Sequence, residues 1–145
     1  MQLFRTMTMA AAVTTAALTG FTMANPWPAH AASGKVQELR IRTKLTGGAI
    51  GGVTPEGDAK FRSRGTSSNF SVDLEDVNLP DGTKLTVTLM RGTTVIPAGS
   101  LTLAHHEGEG EVSTSDGDIV PQAVAGDIVV VSNAAGDALL TGVLR

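Results

Sequence analysis

The chain has 145 residues, no cysteine and a formal charge of −3, and only 3% of it is aromatic. That composition excludes a disulfide scaffold, a thiol nucleophile and a lipid-bearing cysteine. The slight acidic excess excludes a general nucleic-acid binder, which needs a basic field to displace counterions from phosphates.

Residues 1–31 read as an export signal peptide. Arg5 charges the n-region, Met7 to Met23 form a weakly apolar h-region, Pro26 and Pro28 break any helix, and Ala29-His30-Ala31 is a small-x-small cleavage site. The h-region is interrupted by threonines and Gly20 and falls short of the ~20 mostly apolar residues of a spanning helix. Cleavage is therefore expected rather than retention as an anchor, and no later stretch predicts a transmembrane segment. Residues 32–145 are then a single domain in the periplasm or outside the cell. A chain of that size buries roughly 65% of its unfolded surface and can hold a core unaided.

Period-two alternation dominates this domain. Leu39, Ile41, Thr43 and Leu45 alternate with Arg40, Arg42 and Lys44; Ala59, Phe61 and Ser63 with Lys60, Arg62 and Arg64. Phe70, Val72 and Leu74 alternate with Ser71, Asp73 and Glu75, and Leu85, Val87 and Leu89 with Thr86 and Thr88. Shorter signals follow at Leu101 and Leu103, at Val112, at Ile128 to Val131 and at Ala138 to Leu144. Between them lie turn formers: Gly47-Gly48, Gly51-Gly52, Pro55-Glu56-Gly57, Pro80-Asp81-Gly82, Asp116-Gly117 and Gly126-Asp127. The pattern predicts an all-β fold, a single antiparallel β-sandwich or flattened barrel of about eight strands.

Two finer expectations follow. With Gly65 to Ser68 as a hairpin loop, Arg62 faces Ser71, Lys60 faces Asp73, Asp58 faces Glu75 and Phe61 faces Val72. Ile128-Val129-Val130-Val131, apolar on both faces, is a central strand or one covered on both sides.

Residues 104–111 (AHHEGEGE) are the only cluster with site chemistry. His105, His106 and Glu107 are candidate ligands for a weakly bound divalent metal, since imidazole and carboxylate take zinc or copper and carboxylates take calcium. The competing reading is a polar hairpin loop between a strand ending near His106 and one starting near Glu111, because Gly108 and Gly110 leave no apolar face. Asp116-Gly117-Asp118 lacks the further ligands of a calcium loop, and the glycines of residues 47–52 lack the Lys-Ser/Thr of a phosphate loop. Arg40, Arg42, Lys44, Lys60, Arg62 and Arg64 form a basic patch if their strands are neighbours; otherwise they are an ordinary solvated face.

Leu45-Thr46-Gly47, residues 55–61 (PEGDAKF) and residues 70–74 (FSVDL) together resemble the first half of chordin-type domains, and residues 136–142 (GDALLTG) are similar, more distantly, to the closing strand of that family. The resemblance implies a secreted bacterial β-domain of unassigned function and transfers no functional residue. With no thiol, no Gly-x-Ser-x-Gly elbow and no selected carboxylate pair, no cofactor or catalytic residue is expected. The expected function is an exported, non-catalytic protein-interaction or structural module of the cell envelope or extracellular space. A metal-binding module at His105-His106-Glu107 and an enzyme with an unrecognised carboxylate site are the alternatives. A protein or envelope partner is expected, and nucleic acid is not.

Overall fold

Alternation of side chains is what curls this chain around itself. In the computed structural model, which describes residues 34–145, the inward positions of eight antiparallel strands meet in one core. The export signal assigned to residues 1–31, and the domain's first two residues, lie outside the described residues. The strands are β1 (Glu38–Gly47), β2 (Glu56–Arg64), β3 (Ser67–Glu75), β4 (Lys84–Arg91), β5 (Thr94–Thr102), β6 (Gly108–Ser113), β7 (Ile128–Ser132) and β8 (Ala138–Val143). They form a single sheet in the order β5-β4-β7-β8-β1-β2-β3-β6, curled into a nearly closed barrel. No described helix is long and apolar enough to cross a membrane.

Ile41 and Leu45 of β1, Ala59 and Phe61 of β2, Phe70, Val72 and Leu74 of β3, and Leu85, Val87 and Leu89 of β4 all point inward and are buried. Each such Leu, Val or Phe contributes about 1.5–3 kcal/mol on leaving water. The core is therefore assembled mainly from aliphatic side chains around the cross-strand neighbours Phe61 and Phe70.

The β2–β3 hairpin has a tighter turn than the sequence suggested. Arg64 pairs with Ser67, leaving only Gly65 and Thr66 in the loop, and Phe61 faces Phe70 rather than Val72. Gly65 has φ +61° and Thr66 does not share that sign, the pattern of a type II′ turn, whose twist suits paired strands. The register therefore shifts by two residues: Arg62 faces Asn69, Lys60 faces Ser71 and Asp58 faces Asp73. A shift of two preserves the inward and outward faces. The Lys60–Asp73 ion pair survives as a diagonal contact at 3.1 Å.

Strand β7 is central, hydrogen-bonded between β4 and β8. Val129 and Val131 fill the core, and Val130 on the outer face is only 9% exposed, flanked by Thr88 and Thr141. The sequence showed strand β5 only at its Leu101 end, because Pro97 and Gly99 interrupt its alternation. A bulge opposite Val87 and Thr88 absorbs the irregularity, and the proline sits where the strand has one hydrogen-bonded neighbour, as an edge position allows.

No backbone ladder joins β5 to β6. The gap is closed by packing instead: a Cβ on Gly108 would lie 2.6 Å from Leu101 Cδ1 and 3.0 Å from Leu103 Cδ2, and one on Gly110 would lie 3.2 Å from Leu101 Cβ. The glycines that argued for a loop are thus the inward residues of β6, bare so that the leucines of β5 can lie against the strand.

Candidate functional site

The outer surface of the barrel has two unlike halves. On β5-β4-β7-β8, one row across the strands reads Val95, Met90, Ile128, Val143, each directly opposite the next. Val95 is 58% exposed, Ile128 39% and Val143 42%. The adjacent row is Pro97, Thr88, Val130, Thr141, and beyond it Ser100, Thr86 and Ser132 stand abreast. Formal charge on this half is confined to its ends, at Lys84 and Arg91. The exposed apolar residues here are contiguous across four strands rather than scattered singly.

The other half, β1-β2-β3-β6, is charged throughout. Arg40 stands opposite Arg62 and Arg42 opposite Lys60, so the strands carrying the six sequence-identified cations are neighbours. Lys44 stands opposite Asp58, Asp58 opposite Asp73, and Asp73 opposite Glu109, so the face turns acidic toward β6. Four cations have carboxylate partners: Glu38 takes both Arg40 (2.7 Å) and Arg62, Lys44 takes Asp58 (2.7 Å) and Lys60 takes Asp73. The Arg40 hydrogen bond, helped by Arg62, holds the Glu38 carboxyl below its ordinary range against the opposing effect of burial. The Asp58 hydrogen bond likewise raises the Lys44 ammonium. Arg42 and Arg64 enter no ion pair among the described residues.

His105 and His106 occupy the two central positions of a hairpin turn between β5 and β6, closed by Ala104 N–H to Glu107 O (2.8 Å) and Glu107 N–H to Ala104 O (3.0 Å). Both are left-handed, at φ +53° and +67°, as a type I′ turn requires. Asp81 Oδ1 accepts the His105 N–H at 2.7 Å, and the Val77 N–H donates to His106 O at 2.9 Å. His105 and Glu107 line one open groove with Asp73, Glu75 and Glu109; His106 does not line it. Among the described residues no group of three or more His, Cys, Asp or Glu side chains is placed to hold one metal ion. The opposed carboxylates Asp58 and Asp73 are each tied to a lysine.

Left-handed backbone at a residue with a Cβ costs roughly 1 kcal/mol or more. Replacing His105-His106 by Asn-Gly is therefore expected to raise the melting temperature by several degrees, read by circular dichroism because residues 34–145 contain no Trp or Tyr. The same melts in zinc or calcium decide the metal question. Stabilisation of the wild type alone would show that the imidazoles hold the ion, and equal melts would leave them as turn residues.

A long connection, residues 114–127, leads from β6 to β7 and begins with a 3₁₀ turn at Thr114–Asp116. Ser113 caps this turn by accepting from the Ser115 N–H, and Gly117 ends it at φ +83°. Asp118 Oδ2 then accepts the Ser113 N–H at 3.2 Å. The Asp-Gly-Asp stretch is thus engaged in turn hydrogen bonds. At the end of the connection, Asp127 is 1% exposed and is held by the half-exposed Arg91, a pair that no sequence motif announces.

Comparison with models of protein families, with curated proteins and with solved structures finds no match to this chain.

Proposed function

We propose that this chain is an exported, non-catalytic interaction domain, acting in the cell envelope or outside the cell, that meets a protein partner through the uncharged outer half of its barrel. The apolar row Val95-Met90-Ile128-Val143 is the observation that carries this reading. It faces away from the core, and three of its members are well exposed. A threonine- and serine-rich surround supplies a polar rim of the kind seen at protein contacts. The opposed carboxylates Asp58 and Asp73 are each paired with a lysine, which supports a binding role over a catalytic one.

The cysteine-free sequence makes the test direct. A single cysteine at Ile128, modified on intact cells with a membrane-impermeant thiol-reactive photo-crosslinker, is expected to form adducts of discrete mass, while a cysteine at Glu109 on the charged half is expected to form none. Absence of labelling at both positions would refute the exported compartment. Labelling without adducts at Ile128, or equal adducts at both positions, would refute the assignment of the face.

A further inference from the structure

On the charged half, two pairs of like charges stand directly opposite one another across β1 and β2: Arg40 with Arg62, and Arg42 with Lys60. Such pairs destabilise a sheet. A fifth cation joins them, because the main chain of Arg145 exchanges two hydrogen bonds with Arg42 (3.1 and 3.2 Å), placing it beside that residue. The five residues flank one open groove of about 550 Å³, with Ser71 at its edge. Facing them are the Glu38 carboxylate, shared by Arg40 and Arg62, and the Asp73 carboxylate on Lys60. Cations remain in excess, in a chain whose overall charge is negative. The ion pairs present are solvent-exposed, each contributing ~0–1 kcal/mol, so little opposes their exchange for a better anion.

We infer that this groove binds the phosphate groups of a linear, base-free phosphodiester polymer. Four of its five cations are arginine, whose planar fork suits the bidentate recognition of phosphate oxygens. Their layout is extended rather than convergent: neighbouring cations are about 5 Å apart across strands and about 7 Å apart along a strand. One phosphate satisfies two of them, and the set needs several phosphates in a row. Phe61, the aromatic residue in this part of β2, is buried in the core, so the groove has no platform on which a nucleobase or sugar ring could stack. The acidic residues Asp58, Asp73, Glu75 and Glu109 confine an anionic chain to the β1–β2 end of the face. This inference is independent of the apolar row on the opposite half.

Fluorescence anisotropy of labelled poly(glycerol phosphate) with the purified protein tests it. Five phosphate contacts to a flexible strand give a slope of about −3.5 for log affinity against log salt, a loss of roughly a hundredfold between 50 and 200 mM. Arg42→Gln with Lys60→Gln is expected to bring the slope to about −2, and Lys84→Gln on the other half is expected to leave it unchanged. The double variant is also expected to melt close to the wild type, because the like-charge contact it relieves offsets the exposed Lys60–Asp73 pair it removes; this separates loss of binding from loss of fold. An unchanged slope in the double variant would overturn the site. Competition by inorganic phosphate at equal phosphate concentration would overturn the polymer, and single-stranded DNA of equal charge binding as tightly would overturn the base-free restriction.

Discussion

Gly47→Ala is expected to lower the stability of the barrel by about 3 kcal/mol, a loss of roughly 10 °C in melting temperature. The cause is contact rather than backbone freedom, because Gly47 is not among the positive-φ glycines. Strand β1 meets β8 over only two residue pairs, Thr46 with Thr141 and Gly47 with Leu140. A Cβ on Gly47 would overlap the Leu139 carbonyl oxygen and lie 3.0 Å from its carbon. On the facing strand, a Cβ on Gly142 would overlap the Lys44 carbonyl oxygen and lie 2.9 Å from Thr43 Cγ2. The obstacle in each case includes main chain, which cannot rotate away as a side chain can. The two strands must separate, and with them the join between the two halves of the sheet. Gly48→Ala is the control: nothing lies within 4 Å of its added Cβ, so the substitution is expected to stabilise by about 0.4–1 kcal/mol through the unfolded chain. Equal melts for the two variants would show that β1 and β8 do not approach as closely as described.

Gly47 also shows where sequence reading stops. Residues 47–52 look like one flexible connection, yet they divide into a close approach at Gly47 and a tight turn in which Gly51 and Gly52 have φ +58° and +86° between the paired Ile50 and Val53. Glycine composition is the same for both uses, and only tertiary position separates them. Face assignment was legible because period two survives any even shift of register. The Phe61 hairpin placed every side chain on its correct face while being two residues out of register. Strands β5 and β6 were obscure for opposite reasons. Pro97 and Gly99 break an alternation that the bulge later restores, while Gly108 and Gly110 supply inward positions with no side chain to count. The cations of the charged half were readable one by one. Their gathering on one face depended on β1 and β2 being neighbours, which alternation does not state. The apolar row was invisible because its four members come from four separate strands.

Asp127→Ala is expected to cost about 2 kcal/mol at neutral pH, a loss that shrinks in acid. The Asp127 carboxylate is buried, yet its oxygens are occupied: Arg91 Nε donates to Oδ1 at 2.8 Å, Arg91 Nη2 to Oδ2 at 2.8 Å, and the Val124 N–H to Oδ2 at 2.9 Å. The same Nη2 donates to the Gln122 carbonyl at 2.8 Å, so one guanidinium fastens the end of the long connection to the end of β4. The Arg91 hydrogen bonds hold the carboxyl below its ordinary value of 3.8, against the opposing effect of burial and with help from the Val124 N–H. A carboxyl depressed by folding stabilises the fold above its unfolded pKa and loses that contribution as pH falls through the folded value. The difference between wild type and variant should therefore be constant from pH 7 to about 5 and shrink below pH 4. Chemical unfolding followed by circular dichroism across that range measures it. A difference that is absent at pH 7, or that stays constant down to pH 2.5, would show that the ion pair is not what holds the connection. The clamp also bears on the proposed contact surface. Arg91 follows Met90 and Asp127 precedes Ile128, and these two apolar residues stand opposite each other at the centre of the exposed row. Releasing the clamp frees the ends of β4 and β7 together. The Asp127→Ala variant is accordingly expected to lose crosslinking yield at Ile128 at temperatures where its core is still folded.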